Sequence, residues 1–130
     1  MSPIELWIDA LEHKYWQETG RLRRMCSDPQ ICGYGYCPLG VLCDLFINHA
    51  PEAKEIGAHW EECNFVWTEQ GKVEREGCLP PKPVLAWWHR HHSLNLMGII
   101  KFSDEERRSF RELALYLRGA AGLTYLVGTT

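Results

Sequence analysis

The stretch Pro38-Leu39-Gly40-Val41-Leu42-Cys43-Asp44-Leu45-Phe46-Ile47-Asn48 carries the decisive pattern of this chain. Proline at its head suits a first helical turn, where the missing N–H is no loss. Leu39, Leu42, Leu45 and Phe46 then recur at steps of three and four, which makes one face apolar. The pattern predicts a buried helix from Leu39 to about Asn48, ended by Ala50-Pro51.

The flanking segments read as its packing partners. Ser2-Pro3-Ile4-Glu5 has the capping-box pattern. Ile4, Trp7, Ile8, Leu11 and Tyr15 follow at helical spacing, predicting a first helix that ends near Gly20. Leu79-Pro80-Pro81 leads into a third helix with Val84, Leu85, Trp87, Trp88 and His91 close to one face. Ser103-Asp104-Glu105-Glu106 reads as a second capping box and predicts a fourth helix burying Phe110, Leu113, Ala114 and Leu117, with Gly119 at its end. Between these, Arg21 to Tyr36 holds the turn Ser27-Asp28-Pro29 and the glycines Gly33 and Gly35, as an irregular hairpin or an ordered loop. Residues 51–60 have room for another helical turn or two. Phe65-Val66-Trp67-Thr68 and Lys72-Val73-Glu74 flank Gln70-Gly71 as a short hairpin. The expected fold is α+β and mainly helical: about four helices with one or two short β-hairpins, in a single domain over 1–130. The apolar tail 120–130 packs as a strand or short helix, or mediates homodimerisation.

Length and composition set the outer limits. A chain of 130 residues with 45% hydrophobic side chains fills one core. The formal charge of −3 offers no general attraction for nucleic acid, although Arg21, Arg23 and Arg24 form a local basic patch. The opening Met-Ser-Pro-Ile-Glu lacks the pattern of an export signal, and no run approaches the roughly 20 apolar residues of a membrane helix. A cytoplasmic location is expected, with the six cysteines as free thiols.

Those cysteines invite a metal reading, which their spacing disfavours. Cys26, Cys32, Cys37 and Cys43 are separated by four or five intervening residues, wider than the knuckles of structural zinc sites. His89 and His92 share a helical face, but a basic helix end is ordinary dipole complementation. No metal and no cofactor are expected. Cys37 has a sharper alternative, because a helix start stabilises a thiolate and a nearby histidine would make it a nucleophile. A packed cysteine where loop meets helix is the plainer reading. Phosphate loops, dinucleotide fingerprints, serine elbows and zinc-hydrolase motifs are absent, and Glu61-Glu62 and Glu105-Glu106 are neighbours that point apart.

The segment from Tyr15 to Arg24 combines Trp16 and Gln17 with Arg21 and Arg23. Guanidinium forks bind phosphates, and aromatic faces stack on bases. Tyr34 and Tyr36, in the glycine-bearing stretch, supply one wall. The plainer alternative is a solvated basic turn beside core aromatics.

The order of motifs resembles a family of small phage and prophage proteins of unassigned activity. The matching stretches are Trp7…Ala10-Leu11, Gln17…Gly20-Arg21-Leu22-Arg23, Cys37-Pro38-Leu39-Gly40-Val41-Leu42-Cys43-Asp44-Leu45, and Leu79-Pro80…Val84…Trp87. Leu94-Asn95…Gly98 and Phe110-Arg111-Glu112-Leu113-Ala114 complete the series. The Cys37 to Leu45 block is the specific part. Pro38 stands where the family has a second cysteine, and Leu96 where it has an aspartate; Asn95 is kept. The resemblance implies a phage–host setting, in host cytoplasm, and a non-enzymatic binding protein that counteracts host defence. Trp16, Gln17, Arg21, Arg23, Tyr36 and Asn95 then have the chemistry to sequester a nucleotide-like signalling molecule. The alternatives are an inhibitor that covers a host defence or CRISPR protein, and a cysteine-dependent enzyme using Cys37. A protein-binding inhibitor should show an exposed apolar or acidic patch and no enclosed pocket.

Overall fold

The chain starts its first helix at a proline, and this helix, α1 (Pro3–His13), buries Ile4, Trp7, Ile8 and Leu11 as its period requires. The computed structural model describes residues 2–15, 17, 21–25, 33–105 and 108–122. α1 stops before Gly20: Lys14 closes it, and Gln17 is already bridged to Tyr36. Just past the helix, the Tyr15 hydroxyl donates to Asp44 at 2.5 Å. Arg23–Met25 (β1) and Tyr34–Tyr36 (β2) pair antiparallel, with Arg23 opposite Tyr36. Of the two alternatives for this region, the hairpin-like pairing is the one observed.

The central helix α2 (Pro38–His49) is capped by the Cys37 thiol, which accepts the Gly40 N–H at 3.3 Å. Leu39, Val41, Leu42, Cys43, Leu45 and Phe46 are all buried, more of its circumference than the stripe alone predicts. It can be covered so closely because Gly40 has no side chain. A Cβ there would lie 1.6 Å from the carbonyl oxygen of Leu22. Leu22 itself is fully buried, donates its N–H to Gly77 and accepts from Cys37.

A short helix α3 (Glu52–Glu55) follows, then the antiparallel sheet β3 (His59–Glu61), β4 (Asn64–Glu69) and β5 (Lys72–Glu76), in that order. The hairpin β4–β5 turns at Gln70 and Gly71 with φ of 50° and 79°, the left-handed pair of a type I′ turn. α4 (Lys82–His91), α5 (Leu96–Glu105) and α6 (Phe110–Ala120) close the chain.

The fold class is therefore α+β, with six helices among the described residues where about four were expected. The main correction concerns Ser103. It lies 2% exposed within α5, and the helix carrying Phe110 is capped six residues later, by Ser109. Ser109 and Glu112 repeat the same Ser-x-x-Glu pattern and form the real box, each receiving the other's backbone N–H at 3.1 Å. α5 escapes the pattern search because Gly98 interrupts it and its start overlaps the irregular Leu94-Asn95 stretch.

One cluster of buried side chains runs from Ile4 to Leu117. Trp7 and Trp88 meet edge to face at 5.4 Å, and Phe46 lies 5.6 Å from Trp87 and 6.1 Å from Phe65. The Trp7 indole donates to the Pro38 carbonyl at 2.9 Å, fixing α1 across the head of α2. Among the described residues no helix is long and apolar enough to cross a membrane.

Candidate functional site

Arginine and aromatic side chains gather where the β1–β2 pair meets the β3–β4 turn. Glu62, in the left-handed region at φ 55°, directs its carbonyl to Arg23, whose Nε donates at 2.7 Å. The Arg23 guanidinium then lies 3.8 Å from the centre of the Tyr34 ring and 5.0 Å from that of Trp60. Such contacts hold a long side chain in one orientation while leaving part of it in water. Arg21 is exposed beside them and donates to the Asn64 side chain at 3.2 Å.

Beneath this surface the aromatics continue inward. Tyr36 sits edge-on to Trp60 at 5.9 Å and to Tyr15 at 5.0 Å. The Asp44 carboxylate underlies them, accepting from Tyr15, from Trp60 at 2.8 Å and from Asn48 at 3.2 Å. Burial pushes the Tyr15 hydroxyl far above its ordinary pKa, and the hydrogen bond and charge of Asp44 add to it. Burial also raises Tyr36, helped by Asp44 and opposed by Arg23. Both phenols stay protonated at neutral pH and are unsuited to act as bases.

The six sequence-predicted ligand residues do not converge on one pocket. Trp16 lies outside the described residues. The Gln17 amide is spent on α6: its Nε2 donates to the Arg108 carbonyl at 3.1 Å and its Oε1 accepts the Phe110 N–H at 3.0 Å. Arg21, Arg23 and Tyr36 share the face just described. Asn95 belongs elsewhere, capping α5 by accepting the N–H groups of Met97 and Gly98 at 3.0 and 3.4 Å. It lines an open groove of about 510 Å³ with Cys78, Leu79, Pro80, Met97 and Ile100. Among the described residues, the groove lined by Asn95 does not include Arg21, Arg23 or Tyr36.

Sequence reasoning passes over Trp60 and Asp44. Trp60 stands alone on a three-residue strand, with no local pattern to mark it. Asp44 does leave a trace: it is the one carboxylate inside the apolar run from Pro38 to Ile47.

The cysteine alternative finds little support in placement. Cys37 stands at the head of α2 and His49 at its far end, roughly 18 Å along the axis for twelve residues. His91 lines a cavity with His49, and His13 is exposed in the last turn of α1. Cys43 is fully buried, and desolvation drives its thiol well above the ordinary range, against thiolate chemistry. Among the described residues no three His, Cys, Asp or Glu side chains group as a metal site. Comparison with known proteins finds no match to a family model, a curated protein or a solved structure.

Proposed function

We propose that this chain is a non-enzymatic binding protein of the phage type it resembles, and that it acts by covering a host protein. The observation that carries this reading is the Arg23 guanidinium stacked on Tyr34 and Trp60 at the surface. Arg, Tyr and Trp are the side chains that dominate protein interfaces, because they bring large contact area with little rotamer freedom left to lose. Here Arg23 is already oriented before any partner arrives, which lowers the ordering cost of association. Met25 at 66% exposure and Tyr34 at 36% extend the same face with apolar surface.

The test is affinity capture from host extract by wild type and by the double variant Arg23→Ala, Tyr34→Ala, both shown to be folded. A protein retained by wild type and lost by the variant supports the reading. Equal capture by both contradicts it.

A nucleotide-like ligand is the second reading, on one specific observation: the Arg23 guanidinium lies over the Tyr34 and Trp60 rings, and Arg21 is exposed two residues before it. Native mass measurement separates the two. An excess of several hundred daltons over the denatured mass, lost on Arg23→Ala, would favour the nucleotide.

A further inference from the structure

The first turn of α1 is satisfied in an unusual way. Its N-cap Ser2 turns both its backbone N–H and its hydroxyl toward the Glu5 carboxylate, at 3.3 and 2.9 Å. The Ser2 side chain thereby completes a capping box with Glu5, which serves the N3 N–H and leaves the Ile4 N–H at N2 to another acceptor. That acceptor is the Nε2 of His92, at 3.1 Å, on the residue that closes α4. An imidazole nitrogen accepts only when it carries no proton, so the contact assigns a neutral ring with its hydrogen on Nδ1.

We propose that His92 is an acid-operated latch: neutral, it fastens the first turn of α1 to the end of α4, and protonated, it releases it. Protonation turns the acceptor into a second donor facing the Ile4 N–H. It also places a positive charge at the positive end of the α1 dipole. The ring lies 4.5 Å from the Trp88 ring, which packs on Trp7, so the latch is seated against the core. The titratable groups facing His92 are Glu5 from α1, which favours the charged ring, and His91 from α4, which disfavours it. Among the described residues, Ala120 and Ala121 at the end of α6 line the shared cavity of about 390 Å³, and Arg90 is turned to Glu52. Burial is the largest influence and acts against the proton, so the latch stays closed at neutral pH. Its stabilisation is complete above the ordinary histidine value of 6.5 and declines as the pH falls below it. Release would open the cavity between the start of α1 and the end of α4.

Amide exchange at Ile4 tests this in the intact protein. In wild type, Ile4 protection should fall roughly tenfold between about pH 7.5 and pH 5.5, after correction for intrinsic exchange. In His92→Gln, whose amide oxygen accepts without titrating, protection should not change across that range. Flat protection in wild type, or the same fall in His92→Gln, overturns the latch. Nitrogen NMR of the wild-type ring is independent of how the variant folds. A bare Nε2 at neutral pH, protonated in step with a shift of the Ile4 amide, is the expected result. A neutral ring carrying its proton on Nε2 overturns the proposal.

Discussion

The Trp60 indole donates to Asp44 at 2.8 Å, joining the sheet β3–β4–β5 to the central helix α2. That single carboxylate also receives the Tyr15 hydroxyl from the end of α1 and the Asn48 amide from its own helix. Three donors from three parts of the chain thereby converge beneath the Arg23 face. Removing the charge should leave these donors imperfectly satisfied. Asp44→Asn should cost about 2 kcal/mol, the scale of hydrogen bonds to a charged group. Tyr15→Phe, which leaves two donors in place, should cost about 1 kcal/mol. Denaturant unfolding of the two variants checks the order; equal and negligible losses would show that Asp44 does not organise the region.

Gly40 is the second structural keystone. Any side chain there meets the Leu22 carbonyl oxygen, which is backbone and cannot rotate away. Gly40→Ala should destabilise by about 3 kcal/mol, at the upper end of ordinary overpacking, even though alanine is the better helix former. A gain in melting temperature would mean that the Leu22 segment yields freely.

Gln17 provides a prediction against its suspected role in ligand binding. Its amide supplies an acceptor to the Phe110 N–H and a donor to the Arg108 carbonyl. Gln17→Ala should cost about 1–2 kcal/mol, as loss of a helix cap does, and should raise amide exchange at Phe110. Exchange unchanged at Phe110 would contradict this.

Below the histidine range, Glu76 should contribute to acid sensitivity. Burial alone would raise its carboxyl, but the backbone N–H groups of Leu79, Cys78 and Gly77 together hold it below the ordinary value of 4.5. A carboxyl depressed in the folded state contributes stability above its unfolded value and loses it as the pH falls through the folded one. Wild type should therefore lose melting temperature below about pH 4.5 more steeply than Glu76→Gln does. Parallel curves would remove Glu76 from the account.

The parts of this fold legible from sequence are those where a periodic stripe coincides with a local punctuation mark. α1, α2 and α4 each pair an apolar stripe with proline at the start, and β4–β5 pairs its apolar run with Gln70-Gly71. α6 shows the limit: Phe110, Leu113, Ala114 and Leu117 mark its face, yet two Ser-x-x-Glu matches compete for its start. The structure decides between them: Ser103 is buried within α5, and Ser109 and Glu112 form the box. The site was half visible. Arg23, Tyr34 and Tyr36 sit close in sequence and meet in space, with Arg21 exposed nearby in the chain. Trp60 comes from 37 positions beyond Arg23, brought there by pairing of β3 with β4, and no local pattern encodes that approach. Asn95 has the residue type of a ligand group, but a cap uses the same side-chain oxygen, and its own helix takes it.

The central claim is that the Arg23–Tyr34–Trp60 face meets another protein. Its most direct test places a photoreactive aromatic amino acid at Tyr34 and, as control, at Val73, which is 58% exposed on the edge strand β5. After irradiation in host cells, the Tyr34 position should give a discrete adduct of protein size, and the Val73 position should not. No protein adduct from Tyr34, or the same adducts from both positions, would contradict the account.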